Sequence, residues 1–197
     1  MNNDIKKCGN DFEVINDDVI LPLRETKKVK GYNFSIIKEK NVKNKIRGFE
    51  PVVKEHLKSY KKINDVILPL RGTKQSAGYD FFLPKDIMIL GKQGMLIWSD
   101  VKAYMQHGEV FEIYPRSSIA IKYNIRIKNI VGIIDADYYS NIDNDGNIGL
   151  FLWNFGNEIQ KFKKGEAICQ GIFKSFLESD NCNNDVKRIG GVGSTSK

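Results

Sequence analysis

The chain has 197 residues, 41% of them hydrophobic and 28% charged, with a formal net charge of +7. That length suits one domain with an appendage, and the apolar share suffices for a core. No apolar run approaches the roughly 20 residues of a membrane span, so no membrane partner is expected. The positive charge suits an anionic ligand such as a nucleotide or phosphate. It is not gathered into a tail-like basic block, so direct nucleic-acid binding is not expected. Cys8, Cys169 and Cys182 are odd in number and lack metal spacing, which predicts reduced thiols in a cytoplasmic protein. The first ten residues have no apolar centre, so no signal peptide is expected.

Taken in order, the chain opens with a duplication. Residues 19–34 and 66–81 share 11 of 16 positions: the block Val-Ile-Leu-Pro-Leu-Arg, then Thr-Lys, Gly-Tyr and a final Phe. Two copies in different surroundings are a repeated supersecondary piece rather than a solenoid. Asp80 of the second copy is Asn33 in the first, which removes any anionic role there. Residues 1–46 therefore read as a degenerate copy, an extra strand or arm. Its lysines, among them Lys27, Lys28 and Lys30, form either a solvated face or a basic patch for a partner.

From Arg47 onward short apolar runs recur between turn residues: 66–70, 79–83, 87–90, 95–98, 101–105, 110–114, 125–130, 148–153 and 168–176. Many short strands at such spacing predict an all-β, jelly-roll-like barrel or sandwich. Two segments have helical character, a weak one over 53–60 and a short one over 117–123. The domains so read are residues 1–46, a barrel over 47–180, and a tail over 181–197.

Three stretches carry candidate chemistry. Pro115-Arg116-Ser117-Ser118 sets an arginine and two hydroxyls at the start of the short helix, either as an anion site or with Ser117 as a plain N-cap. Residues 129–139 run Asn-Ile-Val-Gly-Ile-Ile-Asp-Ala-Asp-Tyr-Tyr. Here a buried strand with bare backbone at Gly132 ends in a carboxylate, Asp135, with the aromatic Tyr138 close behind. This is a platform for chemistry on a flat ring compound, or else an Asp-rich turn. Third, residues 188–197 combine Arg188 with three glycines and three hydroxyls, either a flap that closes over phosphates or a disordered terminus.

In this order the pieces resemble the homotrimeric dUTP diphosphatases (dUTPases). Five motifs match: Ala77-Gly78-Tyr79-Asp80; Pro115-Arg116-Ser117-Ser118; residues 129–138; Gly165-Glu166-Ala167-Ile168-Cys169-Gln170; and Gly190-Gly191-Val192-Gly193-Ser194-Thr195. The segment after the third is similar to the branch in Gram-positive bacteria and their phages. The resemblance implies hydrolysis of dUTP to dUMP and pyrophosphate with Mg2+. Asp135 would orient the attacking water, and Tyr138 would lie under the sugar. Asn129 and Gly132 would hold uracil. Arg116, Ser117, Ser118 and Gln170 would hold phosphates, joined by Arg188, Ser194 and Thr195 from the tail. Asp80 would contact the metal through water. A homotrimer, with each site drawn from three subunits, is also implied.

Some positions depart from the family. Val192 stands where a phenylalanine usually covers the uracil, a loss worth about 0.5–1.5 kcal/mol of stacking; Tyr139 is a candidate replacement. Ala167 stands where arginine is common. Asp137 is either functional or merely paired with a basic neighbour. The alternatives are a dUTP-gated regulatory protein whose partner binds residues 1–46, and a dCTP deaminase. The deaminase is disfavoured because residues 136–142 lack a glutamate.

Overall fold

The computed structural model describes residues 45–181 with Arg188 and Gly190, and the backbone alone of four short strands nearer the N-terminus. The chain divides into two compact units, Met1–Lys45 and Ile46–Lys197. In the first, β1 (Lys7–Cys8) pairs with β2 (Asp11–Phe12), and β3 (Thr26–Val29) with β4 (Tyr32–Ser35). Of the expected arm over residues 1–46, side chains before Lys45 lie outside the described residues.

The second unit contains β5 (Gly48–Pro51), β6 (Leu70–Arg71), β7 (Tyr79–Phe82), β8 (Ile87–Ile89), β9 (Gly94–Trp98) and β10 (Val101–Tyr104). It continues with β11 (Glu109–Pro115), α1 (Ser117–Tyr123), β12 (Ile125–Ile127), β13 (Gly132–Asp135), β14 (Gly149–Asn154), β15 (Gln160–Phe162) and β16 (Ala167–Ser175). A five-stranded sheet runs β13-β11-β16-β7-β6 and a three-stranded one β12-β14-β9; β10-β5 and β15-β8 are pairs. All pairings are antiparallel. The expected all-β class with one short helix therefore holds.

Alternation along β11 divides the five-stranded sheet into two faces. Phe111 and Ile113 point inward, at 0% and 2% exposure, and pack with Phe81, Leu83, Leu152 and Ile168. Val110, Glu112 and Tyr114 take the other face. Gly171 lets the sheet close over Phe111: a Cβ there would lie 2.0 Å from the phenyl ring.

Three expected elements come out shorter or different, one of them because of a distant group. Residues 53–60 form only a 3-10 turn, Lys54–His56. The buried Asp100 carboxylate takes the amides of Lys58, Ser59 and Tyr60 at 2.9, 2.7 and 2.8 Å, so they are lost to a helix. The run 66–70 is strand only from Leu70, because Pro69 has no N–H to give a ladder. The run 125–130 also stops early, at Ile127, where the chain turns through Ile130 at φ 70°.

The duplicated sequence does not repeat its register. In the second copy Leu70 faces Asp80 across a loop closed by Thr73 and Ser76, each amide bonding the other's hydroxyl at 3.1 Å. The first copy has Val29 in place of Ser76, and Val29 instead pairs in a tight hairpin with Tyr32. A β-branched residue without a hydroxyl favours strand over turn.

Candidate active site

The predicted phosphate-side residues gather at one end of the five-stranded sheet. Gln170 on β16 stands between Asp80 on β7 and Tyr114 on β11. Arg116 follows the end of β11 and reaches back, Nε to Asp80 Oδ1 at 3.1 Å and Nη1 to the Ala167 carbonyl at 3.4 Å. Its own amide donates to the Ile168 carbonyl at 3.3 Å. A Cβ at Gly78 would lie 2.4 Å from Gln170 Oε1, so a side chain there would displace the Gln170 amide. Ser117 and Ser118 are exposed in the first turn of α1, which the buried Ile119 anchors. The amides of Ile119 and Ala120 already donate to the Arg116 carbonyl, so those of Ser117 and Ser118 are the ones placed to face an anion. The N-cap is Arg116, without a side-chain cap bond, so Ser117 is not the cap.

The second group lies toward the other end of the same sheet. Asp135 closes β13 opposite Val110 with its side chain half exposed. Arg188 donates to Asp135 Oδ2, and its Nε lies 2.9 Å from Asp137 Oδ1. Asp137 thus has the basic neighbour weighed for it. The same guanidinium stands 5.6 Å from the Tyr138 ring. Val192, Ser194 and Thr195 lie outside the described residues.

Beside this group opens a cavity of about 620 Å³ whose lining includes Asn129, Gly132, Ile134 and Tyr138. Its walls are mostly apolar, as suits a flat ring. Tyr138 is buried, and burial raises its phenol above the ordinary value. Its hydroxyl donates to the Asn147 carbonyl at 2.9 Å and accepts from Asn144 Nδ2 at 2.8 Å. Tyr139 turns elsewhere: its hydroxyl donates to Glu50 at 2.6 Å, and burial and that carboxylate push its pKa to about 12. It does not line this cavity. Trp98 and Phe151 supply aromatic wall instead. Neither was singled out in sequence, because they reach the cavity only through cross-strand pairs, Trp98 with Gly149 and Phe151 with Leu96.

The two groups are far apart within one chain. Asp135 pairs with Val110, whereas Arg116 lies six residues further along and past the end of β11, a span of about 20 Å at strand rise. Between them, on the same face, Lys174 Nζ lies 2.6 Å from Glu112 and 3.0 Å from the Tyr114 hydroxyl. These bonds hold the Glu112 carboxyl below its usual range and the Lys174 amine above its own.

A dUTPase family model matches residues 64–196. Deoxyuridine 5'-triphosphate nucleotidohydrolase of Lactococcus lactis is 46% identical over 102 residues, covering 51% of this chain and 68% of that protein. The rat protein of the same name is 34% identical over 117 residues, 57% of this chain and 53% of that one. The crystal structure of dUTPase from Streptococcus mutans is 35% identical with a TM-score of 0.58, covering 68% of this chain and 98% of that one. The dUTPase of Staphylococcus bacteriophage 80alpha, at 20% identity and a TM-score of 0.56, shares the fold over 73% of this chain and 98% of that one.

Proposed function

This chain belongs to the dUTPase family, and on that premise we propose that it hydrolyses dUTP to dUMP and pyrophosphate. What carries this reading is one juxtaposition. A half-exposed carboxylate, Asp135, ends the strand that walls a ring-sized apolar cavity, while Asp80 and Gln170 stand side by side on the same sheet with Arg116 bonded to Asp80.

Asp135 accepts a proton from a water that attacks the α-phosphorus in line. A P–O bond to water forms, the bridging P–O bond breaks, and pyrophosphate leaves with the electron pair. Arg116, Ser117, Ser118 and Gln170 hold the phosphates by charge and hydrogen bonds, with Arg188, Ser194 and Thr195 closing from the tail. Asn129 and the bare backbone at Gly132 receive uracil, and Tyr138 lies against the sugar, leaving no room for a 2′-hydroxyl.

Magnesium fits the donor set. Among the described residues no three His, Cys, Asp or Glu side chains converge as a cage. Mg2+ typically keeps several waters and uses one or two carboxylates with substrate phosphates. Asp80, already 3.1 Å from Arg116, would hold it through water. Bound with the substrate, it supplies neutralisation of phosphate charge.

The functional unit is a homotrimer. Groups about 20 Å apart in one chain cannot grip the same triphosphate, so the Asp135 end of one subunit must meet the Asp80 end of another. The enzyme is cytoplasmic on this reading. Among the described residues no helix is long and apolar enough to cross a membrane. Burial of Cys169 raises its thiol pKa and keeps it unreactive.

The test is pyrophosphate release from dUTP, dCTP, dTTP and UTP with magnesium, alongside sedimentation. Turnover of dUTP alone by a trimer is expected. A monomer with full activity removes the shared-site model, and turnover of dCTP with ammonia release replaces the hydrolase reading with a deaminase.

A further inference from the structure

We propose that Asn144 is a positioning residue for Tyr138 and, through it, for discrimination at the sugar; the proposal rests on the dUTP-hydrolysing role above. A ring that rejects one extra hydroxyl must hold its plane closely, because a displacement of about an ångström opens the room it should deny. The Tyr138 ring is part of the cavity wall, yet only 6% of the residue is exposed. Its orientation is therefore decided on its buried side.

Two hydrogen bonds fix the hydroxyl there. A phenol has one proton, and the Asn147 carbonyl takes it at 2.9 Å. The remaining lone pairs need a donor, and Asn144 Nδ2 supplies it at 2.8 Å. The first bond already satisfies the buried hydroxyl, so the second adds geometry more than it removes a burial penalty.

Asn144 is itself held in one orientation. It is 5% exposed, and its Oδ1 accepts from Asn141 Nδ2 at 2.8 Å and from the Gly146 amide at 3.1 Å. A flipped amide would set donor against donor at both contacts. Asn141 Nδ2 also donates to the Tyr138 carbonyl at 2.8 Å. The chain of bonds thus runs from the Tyr138 backbone through two asparagines to the Tyr138 hydroxyl. Asp145 bolts this loop to the barrel, accepting from Lys102 Nζ at 2.9 Å and the Val53 amide at 2.7 Å.

The test compares kcat/KM for dUTP and UTP, with magnesium, in the full chain and in Asn144→Ala, Tyr138→Phe, their double variant and Ser140→Ala. The preference for dUTP should fall about tenfold in Asn144→Ala, by a similar factor in Tyr138→Phe, and no further in the double variant. Ser140→Ala removes a Lys102 contact in the same loop without touching Tyr138, and should keep the wild-type ratio. An unchanged ratio in Asn144→Ala with only a lower Tm overturns the proposal. So does a double variant that loses the product of the two single effects. If Asn144→Ala does not fold, Asn144→Ser carries the same expectations. If wild type hydrolyses neither nucleotide, the hydrolase reading fails instead. The proposal is then decided by NMR of tyrosine-labelled protein, with the Tyr138 signal assigned by its loss in Tyr138→Phe. Faster ring flipping in Asn144→Ala supports it, and an unchanged rate overturns it.

Discussion

The guanidinium of Arg188 donates to the carboxylate of Asp135, 53 positions away in the chain. Through Asp137 and the Tyr138 ring it spans the edge of the cavity as well. The residue proposed to clamp phosphate thus rests on the residue proposed to activate water, and a triphosphate offers it a denser negative charge. Arg188→Ala should raise KM for dUTP about tenfold with a smaller change in kcat, because the interaction lost is mainly one of binding. Steady-state kinetics decide it, and a loss confined to kcat would place Arg188 in the transition state alone.

Asp135→Asn keeps the shape of the side chain and removes its basicity. The residue is half exposed at a strand end, so stability should shift by less than about 1 kcal/mol. A general base supplies about 10²–10⁴-fold, so kcat should fall by that factor while dUTP still binds. Calorimetry and single-turnover hydrolysis separate the two.

Lys102 and Asp145 form a buried ion pair, with side chains 8% and 11% exposed and N–O contacts of 2.9 Å. Removing one partner strands the other charge. Lys102→Met should destabilise by about 3–5 kcal/mol, and Lys102→Met with Asp145→Asn by less than Lys102→Met alone. Urea unfolding of both variants tests this, and an additive loss would contradict it.

Gly171→Ala places a methyl group 2.0 Å from the Phe111 ring at the centre of the five-stranded sheet. Phe111 is fully buried and cannot withdraw, so overpacking should cost about 1–3 kcal/mol. Thermal unfolding reads the loss, and Phe111→Leu in the same chain should recover part of it.

Hydrogen bonds from Lys174 and Tyr114 hold the Glu112 carboxyl below its ordinary value of 4.5. The unfolded chain then binds the proton more readily than the folded one, so stability rises with pH through this window. The contribution is complete above pH 4.5 and is lost as pH falls through the lower, folded value. Glu112→Gln should flatten that part of the acid limb in urea midpoints measured between neutral and acidic pH. The group is solvent-accessible, so the effect should be small and weaken with added salt.

Strand alternation, the short helix Ser117–Tyr123 and the order of the motifs were legible in the sequence because each rests on contacts a few residues apart. Period-2 alternation marks Glu109–Pro115 wherever that strand pairs. The rest depended on partners far along the chain. Asp100 captures three amides that local propensity would give to a helix. The two copies of one repeated stretch pair in different registers, Lys28 with Asn33 in the first and Leu70 with Asp80 in the second. Cross-strand pairing alone brings Trp98 and Phe151 to the cavity and sends Asp135 and Asp80 to opposite ends of one sheet face. Register is a non-local property: one shift of a strand moves every side chain to the other face. The sequence by itself therefore determined which chemical groups this protein carries, and only the tertiary structure decided which of them meet.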